Sequence, residues 1–169
     1  MISPDIARRI EKWIQRHRPQ TVDITGGAPE ICPEFRSLVQ TAHAAGCEVI
    51  DRCNLTILLE DGFVWLPEFL SEHKTTLIAS LPCYQPQNVN RQRGNGVFHK
   101  SIQALQILNQ WGYGDTLPLH LVFNPVGPTL PPNQDDLEKE YKKAKEIMER
   151  RSQQSSNWQF RTTGFTFKI

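Results

Sequence analysis

The residues with the most chemical scope lie in a few short stretches. Gly26 and Gly27 stand together in a Gly-Gly-Ala-Pro turn. Paired glycines let a ligand approach the backbone closely and offer it bare carbonyls and amides. A tight strand-to-helix turn uses the same residues with no ligand at all. Cys53 and Cys83 each follow a strand-like apolar run and carry sulfur donors suited to a soft ligand once ionised. Ordinary buried thiols are the plainer alternative. Arg91, Arg93 and Lys100 could form a small anion site near a helix start, with solvated surface charge as the blander choice.

Other patterns say less. The four cysteines, Cys32, Cys47, Cys53 and Cys83, are too few and too spread for a disulfide scaffold. No two of them form a CxxC pair, so no zinc site is written in their spacing. Gly94-Asn-Gly96 lacks the third glycine of a dinucleotide fingerprint. His43, His73, His99 and His120 are scattered, and His120 sits among apolar neighbours as a core histidine would. Asn54-Leu-Thr fits a glycosylation sequon, which a cytoplasmic chain never uses.

The elements that must hold these residues follow from periodicity. Ser3, Pro4 and Asp5 are fit helix-start residues, and Ile6, Ile10, Trp13 and Ile14 recur at helical spacing until Pro19. Residues 21–25 (TVDIT) read as a strand stopped by the two glycines. Phe35, Leu38, Val39 and Ala42 share a helix face ending near Gly46. Residues 47–50 read as a second strand, 66–73 as a short helix and 75–81 (TTLIASL) as a third strand. Residues 97–111 read as a helix, 117–123 (LPLHLVF) as a fourth strand and 135–151 as a last helix. The order α-β-α-β-α-β-α-β-α implies a parallel sheet with right-handed crossovers, whose functional loops follow the strand C-termini. Those loops begin at Gly26, Asp51, Pro82 and Asn124. Residues 152–169, polar and then aromatic, lack this rhythm and read as a frayed end or a badly fitting strand.

Composition bounds the function. The chain has 169 residues, 38% hydrophobic, enough for one domain with a core and too many apolar residues for disorder. Lys+Arg 19 against Asp+Glu 18 gives no bulk reason for a nucleic-acid partner. No apolar run approaches the roughly 20 residues of a membrane helix, and the N-terminus lacks a signal-peptide core. The expectation is a soluble, cytoplasmic domain with neither nucleic acid nor membrane as a partner.

Four blocks go further. DITGGAPE, VIDRCNLTILLE, ASLPCYQPQNVNRQRGNGVFHKSI and LPLHLVFNPVGPTLPP, in that order, resemble the arsenosugar-biosynthesis radical SAM protein family from about residue 3 to residue 141. The resemblance implies an α/β fold. This is a partial (βα) barrel of the radical SAM type, with about four parallel strands, about five helices and open edges at both ends. It implies S-adenosylmethionine (SAM) and a [4Fe-4S] cluster as cofactors, and transfer of a 5′-deoxyadenosyl group to a methylated arsenical. Gly26 and Gly27 match the turn whose backbone receives the SAM amino group. Ala28 stands where many superfamily members have Glu, and Glu30 is the candidate to replace it. Ser80 and Arg93 fall where the superfamily places polar contacts to SAM, and Asn124 toward the adenosine end. Cys53 and Cys83 would suit trivalent arsenic.

The family's Cys-x3-Cys-x2-Cys motif does not occur in this chain. The cluster is therefore not expected to bind it alone. Residues 1–151 are read as a truncated radical SAM core, inactive by itself, and 152–169 as an atypical tail. A split enzyme completed by a second polypeptide is one alternative. A stand-alone α/β small-ligand module, flavodoxin-like in outline, is another. Open sheet edges predict marginal stability or self-association.

Overall fold

Helix α1 (Pro4–His17) starts where the capping residues place it. The Ser3 hydroxyl accepts the Ile6 N–H at 3.4 Å, and Pro4 fills a position that needs no donor. It ends at Arg18, whose left-handed backbone lets its N–H bond to Ile14 O at 2.8 Å. The computed structural model describes residues 1–80, 96–123, 133, 135–136, 139–140, 143 and 164–167. In chain order β1 (Thr21–Ile24), α2 (Phe35–Ala44), β2 (Glu48–Asp51), α3 (Leu66–Glu72) and β3 (Thr76–Ser80) follow α1. Then come α4 (Val97–Gln110), β4 (Leu119–Phe123) and β5 (Gly164–Phe167). Short 3-10 turns at Pro29–Ile31 and Leu55–Leu59 follow β1 and β2. Described positions within 135–143 are helical, and the Asn133 side chain caps them by accepting the Asp136 N–H at 2.9 Å.

The strands form one parallel sheet in the order β1-β2-β3-β4-β5. The α/β class and the parallel pairing stand as expected from sequence. Two expectations change. The tail contributes a fifth strand, β5, beside β4, where about four strands were expected. The strand order also runs without the reversal that defines a flavodoxin-like sheet, so that alternative outline does not describe this chain.

Register decides which side chains share a face. Ile24 pairs with Asp51, Asp51 with Leu77, Leu77 with Leu119, and Ala79 with Leu121. This face is buried, and it shares one core with Phe35, Val39 and Ala42 of α2, Leu66, Phe69 and Leu70 of α3, and Ile102, Leu105 and Leu108 of α4. Each such aliphatic side chain contributes about 1.5–3 kcal/mol on burial. The opposite face carries exposed Asp23 and Glu48 and half-buried Ile50, Ile78, Ser80, His120 and Val122. His120 is thus on the less covered face rather than in the core. Among the described residues no helix is long and apolar enough to cross a membrane.

One helix is only partly used. Ala7 and Ile14 of α1 are buried, but Ile6 and Trp13 remain 47% and 52% exposed. The sequence periodicity groups Ile6, Ile10, Trp13 and Ile14 on one face, and the fold covers only its Ile14 side. Leu105→Ala is expected to cost about 2–5 kcal/mol of stability. Ile6→Ala is expected to stay within about 0.5 kcal/mol of the parent. Urea unfolding of the two variants checks the contrast.

Candidate functional site

The C-terminal ends of β1, β2 and β3 lie side by side because the strands are parallel and in register. Their following residues line a cleft of about 500 Å³ formed by Gly26, Gly27, Arg52, Cys53, Asn54, Thr56, Ser80 and Val97. The main chain ties the loops together. Arg52 N–H donates to Ile24 O at 3.0 Å and Ser80 N–H to Cys53 O at 3.4 Å. A Cβ built on Gly27 would meet nothing within 4 Å, so its backbone borders open space. Arg52 is held at the rim by a paired contact to Asp23, with Nε at 2.9 and 3.1 Å and a terminal nitrogen at 2.8 Å from the carboxylate oxygens. Both partners are well exposed, so the pair orients Arg52 more than it stabilises the fold.

Gly26, Gly27, Cys53 and Ser80, four of the residues singled out from sequence, meet in this one cleft. Glu30 does not line it. Glu30 is 3% exposed, and its Oε1 accepts the Asn54 N–H at 3.3 Å. Arg93, Asn124 and Cys83 lie outside the described residues.

Sequence reasoning missed Asp51 as a site residue. It is 0% exposed, and the ligand-type atoms of Glu30, Asp51 and Cys53 all lie within 4.8 Å of one another. The available signal was alternation: Asp51 occupies the core-facing register of Val49, where an apolar residue is the rule. Arg52, Asn54 and Thr56 were legible only as neighbours of Cys53.

The electrostatics of this trio are severe. Burial pushes the Asp51 carboxyl well above the usual carboxylate range, and repulsion from Glu30 and Asp23 adds to it. Burial also raises Glu30, against the lowering effect of hydrogen bonds from its own backbone, the Cys53 thiol and the Asn54 N–H. Cys53 is raised well above an ordinary thiol by burial and then by the charges of Asp51 and Glu30, with its hydrogen bond to Glu30 adding further. Burial and the neighbouring Asp51 and Cys53 also raise Tyr113, whose hydroxyl donates to Thr75 O at 2.9 Å. Cys53 is therefore a neutral thiol at neutral pH and a poor free nucleophile.

Fold and site together define an α/β chain with a polar cleft at the C-terminal ends of parallel strands, set over a buried acid–thiol trio. No protein-family model matches the chain, and a search of curated proteins finds no match.

The raised carboxyls have a thermodynamic sign. The folded chain retains protons that the unfolded chain releases above about pH 4, so stability falls as pH rises from there toward the folded values. Asp51→Asn removes the most strongly raised carboxyl of the trio. In chelator-treated protein it is expected to leave stability unchanged near pH 4. By pH 8 it should leave the variant the more stable of the two, because only the parent carries a buried carboxyl that resists ionisation. Thermal unfolding of both proteins at the two pH values measures the gap.

Proposed function

We propose that this chain is the SAM-binding part of a radical SAM enzyme similar to the arsenosugar-biosynthesis type, and that the strand-end cleft takes the SAM molecule. One observation carries the reading. Three sequence blocks that bear the resemblance, from three separate strand ends, supply Gly26-Gly27, Cys53-Asn54 and Ser80 to a single cleft. Its volume falls within the range of small-molecule sites. The sheet order gives further support. Strands taken in sequence with right-handed crossovers put their helices on one face, which is how an opened (βα) barrel winds.

In this reading the open backbone at Gly26 and Gly27 receives the SAM ammonium group through carbonyl oxygens. Arg52 presents a cation at the rim for the carboxylate. Asn54 and Thr56, already joined by a 3.2 Å hydrogen bond, offer an amide and a hydroxyl, and Val97 offers an apolar contact. Arg93 and Asn124 complete the binding set proposed from the resemblance. When bound, SAM brings the 5′-deoxyadenosyl group that the parent family transfers.

The thiols of the described residues do not fit an iron–sulfur cluster. Cys32 donates to Glu34 at 3.3 Å, Cys47 is buried in the core, and Cys53 sits against Glu30, so the described thiols do not converge. The proposal therefore gives this chain SAM binding and orientation. Cleavage of SAM requires a cluster held by thiolates other than those of Cys32, Cys47 and Cys53.

Calorimetric titration with SAM is expected to show saturable one-to-one binding. Gly27→Val, which fills the open space without backbone strain, is expected to weaken binding at least about tenfold at an unchanged melting temperature, because each 1.4 kcal/mol of lost contact is tenfold. A folded native chain that fails to bind SAM at millimolar concentration defeats the proposal. Reconstitution of the chain alone with iron and sulfide is expected to give no [4Fe-4S] electron paramagnetic resonance signal after reduction. A stoichiometric cluster would overturn the assignment of cluster chemistry to thiolates outside residues 1–169.

A further inference from the structure

Beneath the cleft wall, two carboxylates and a thiol converge from two chain segments. Asp51 ends β2, Cys53 follows it by two residues, and Glu30 arrives on the 3-10 turn after β1. All three are buried, and their donor atoms lie within 4.8 Å of one another. A second observation is independent of that proximity. Both Asp51 oxygens and Glu30 Oε2 are buried without a hydrogen-bond partner, while Glu30 Oε1 and the Cys53 thiol are accounted for. Buried carboxylate oxygens are ordinarily satisfied, and three orphaned ones in one cluster ask for a cation.

We propose that Glu30, Asp51 and Cys53 form a binding site for a borderline divalent cation of the Zn²⁺ type. The donor set selects this class. Carboxylates alone would suit Mg²⁺ or Ca²⁺, whereas a thiolate brings a preference for softer ions. Zn–O distances near 2.1 Å and Zn–S near 2.3 Å place tetrahedral ligands about 3.4–3.8 Å apart. The trio needs to contract by only about 1 Å, and the turn that carries Glu30 is the element free of sheet pairing. Binding is a proton exchange without redox change. The cation forms bonds to one oxygen of each carboxylate and to Cys53 Sγ, and each ligand releases to solvent whatever proton it carries. Three anionic ligands would leave the fourth position of a tetrahedral ion open. A cation here would cross-link the loops after β1 and β2 and so fix the floor of the cleft. The inference stands apart from SAM binding, because it uses none of the glycine-turn contacts.

The test begins with the whole chain stripped by a chelator and titrated with Zn²⁺, followed by Co²⁺ as a spectroscopic probe. One Zn²⁺ per chain and a raised melting temperature are expected. Co²⁺ is expected to give a near-ultraviolet thiolate-to-metal charge-transfer band. Cys53→Ser is expected to abolish that band and, like Glu30→Gln, to weaken Zn²⁺ binding at least about tenfold. Cys32→Ser and Gly27→Val are expected to keep both the band and the affinity. Proton release on Zn²⁺ addition to the unmodified chain, followed in weak buffer, provides a readout that does not depend on any variant folding. Absence of stoichiometric Zn²⁺ from the folded native chain overturns the proposal, as does a charge-transfer band that survives Cys53→Ser. Loss of SAM binding with Zn²⁺ binding intact would defeat the functional reading and leave this one standing.

Discussion

The parallel register of β1 against β2 is the constraint on which the rest of the site depends. Pairing Ile24 with Asp51 brings both strands to their ends at the same height. The two loops that follow must therefore turn back side by side. That single register sets Gly26 and Gly27 beside Arg52 and Cys53, and it brings the turn carrying Glu30 over the carboxylate of Asp51. A slip of one residue would rotate Asp51 to the exposed face and send Ile50 inward, dissolving the trio and reversing the face pattern of the strand. The core contacts of Val49 and Leu77 hold the register, so the apolar interior is what positions the polar site.

The same arrangement works against stability locally. Two carboxyls and a thiol are held out of water, and burial raises the proton affinity of all three. The hydrophobic face of the sheet, with α2, α3 and α4 packed on it, supplies the excess that tolerates this. Strain of this electrostatic kind concentrates at functional sites more than in structural cores. It gives the trio a meaning beyond the cleft it underlies.

Much of the frame was legible in the residues because local rules and the fold agree. Ser3, Pro4 and Pro19 bracket α1, and the left-handed Gly46 (φ +80°) ends α2 where a terminal glycine was expected. The β-branched run at Thr76–Ser80 became a strand whose inward positions are the apolar ones. Other features were not legible, for physical reasons. Periodicity reports that α1 has an apolar face and is silent on what covers it, so the exposure of Ile6 and Trp13 could not be read. β5 is a four-residue strand whose sequence lacks a long apolar alternation, and its pairing with β4 defines it. Asp51 looked like the first residue of a loop because polarity usually marks a strand's end. The cleft was partly foreseen, since Gly26, Gly27, Cys53 and Ser80 were each marked by their places at strand ends. Glu30 was marked for a ligand contact, and it instead lies beneath the cleft wall.

The strand order has a consequence for how the chain acquires its structure. From β1 to β4, each strand lies against the next one in sequence, so each pairing closes a loop of only one helix-containing connection. Loop-closure entropy grows with the length bridged, and sheets that pair distant strands must meet that cost before any contact repays it. Here the sheet can instead extend by one strand at a time, each new unit docking on an edge already formed. A ribosome releasing the chain from its N-terminus would present the strands in the order in which they assemble. β5, separated from β4 by a long stretch, would be the last to join.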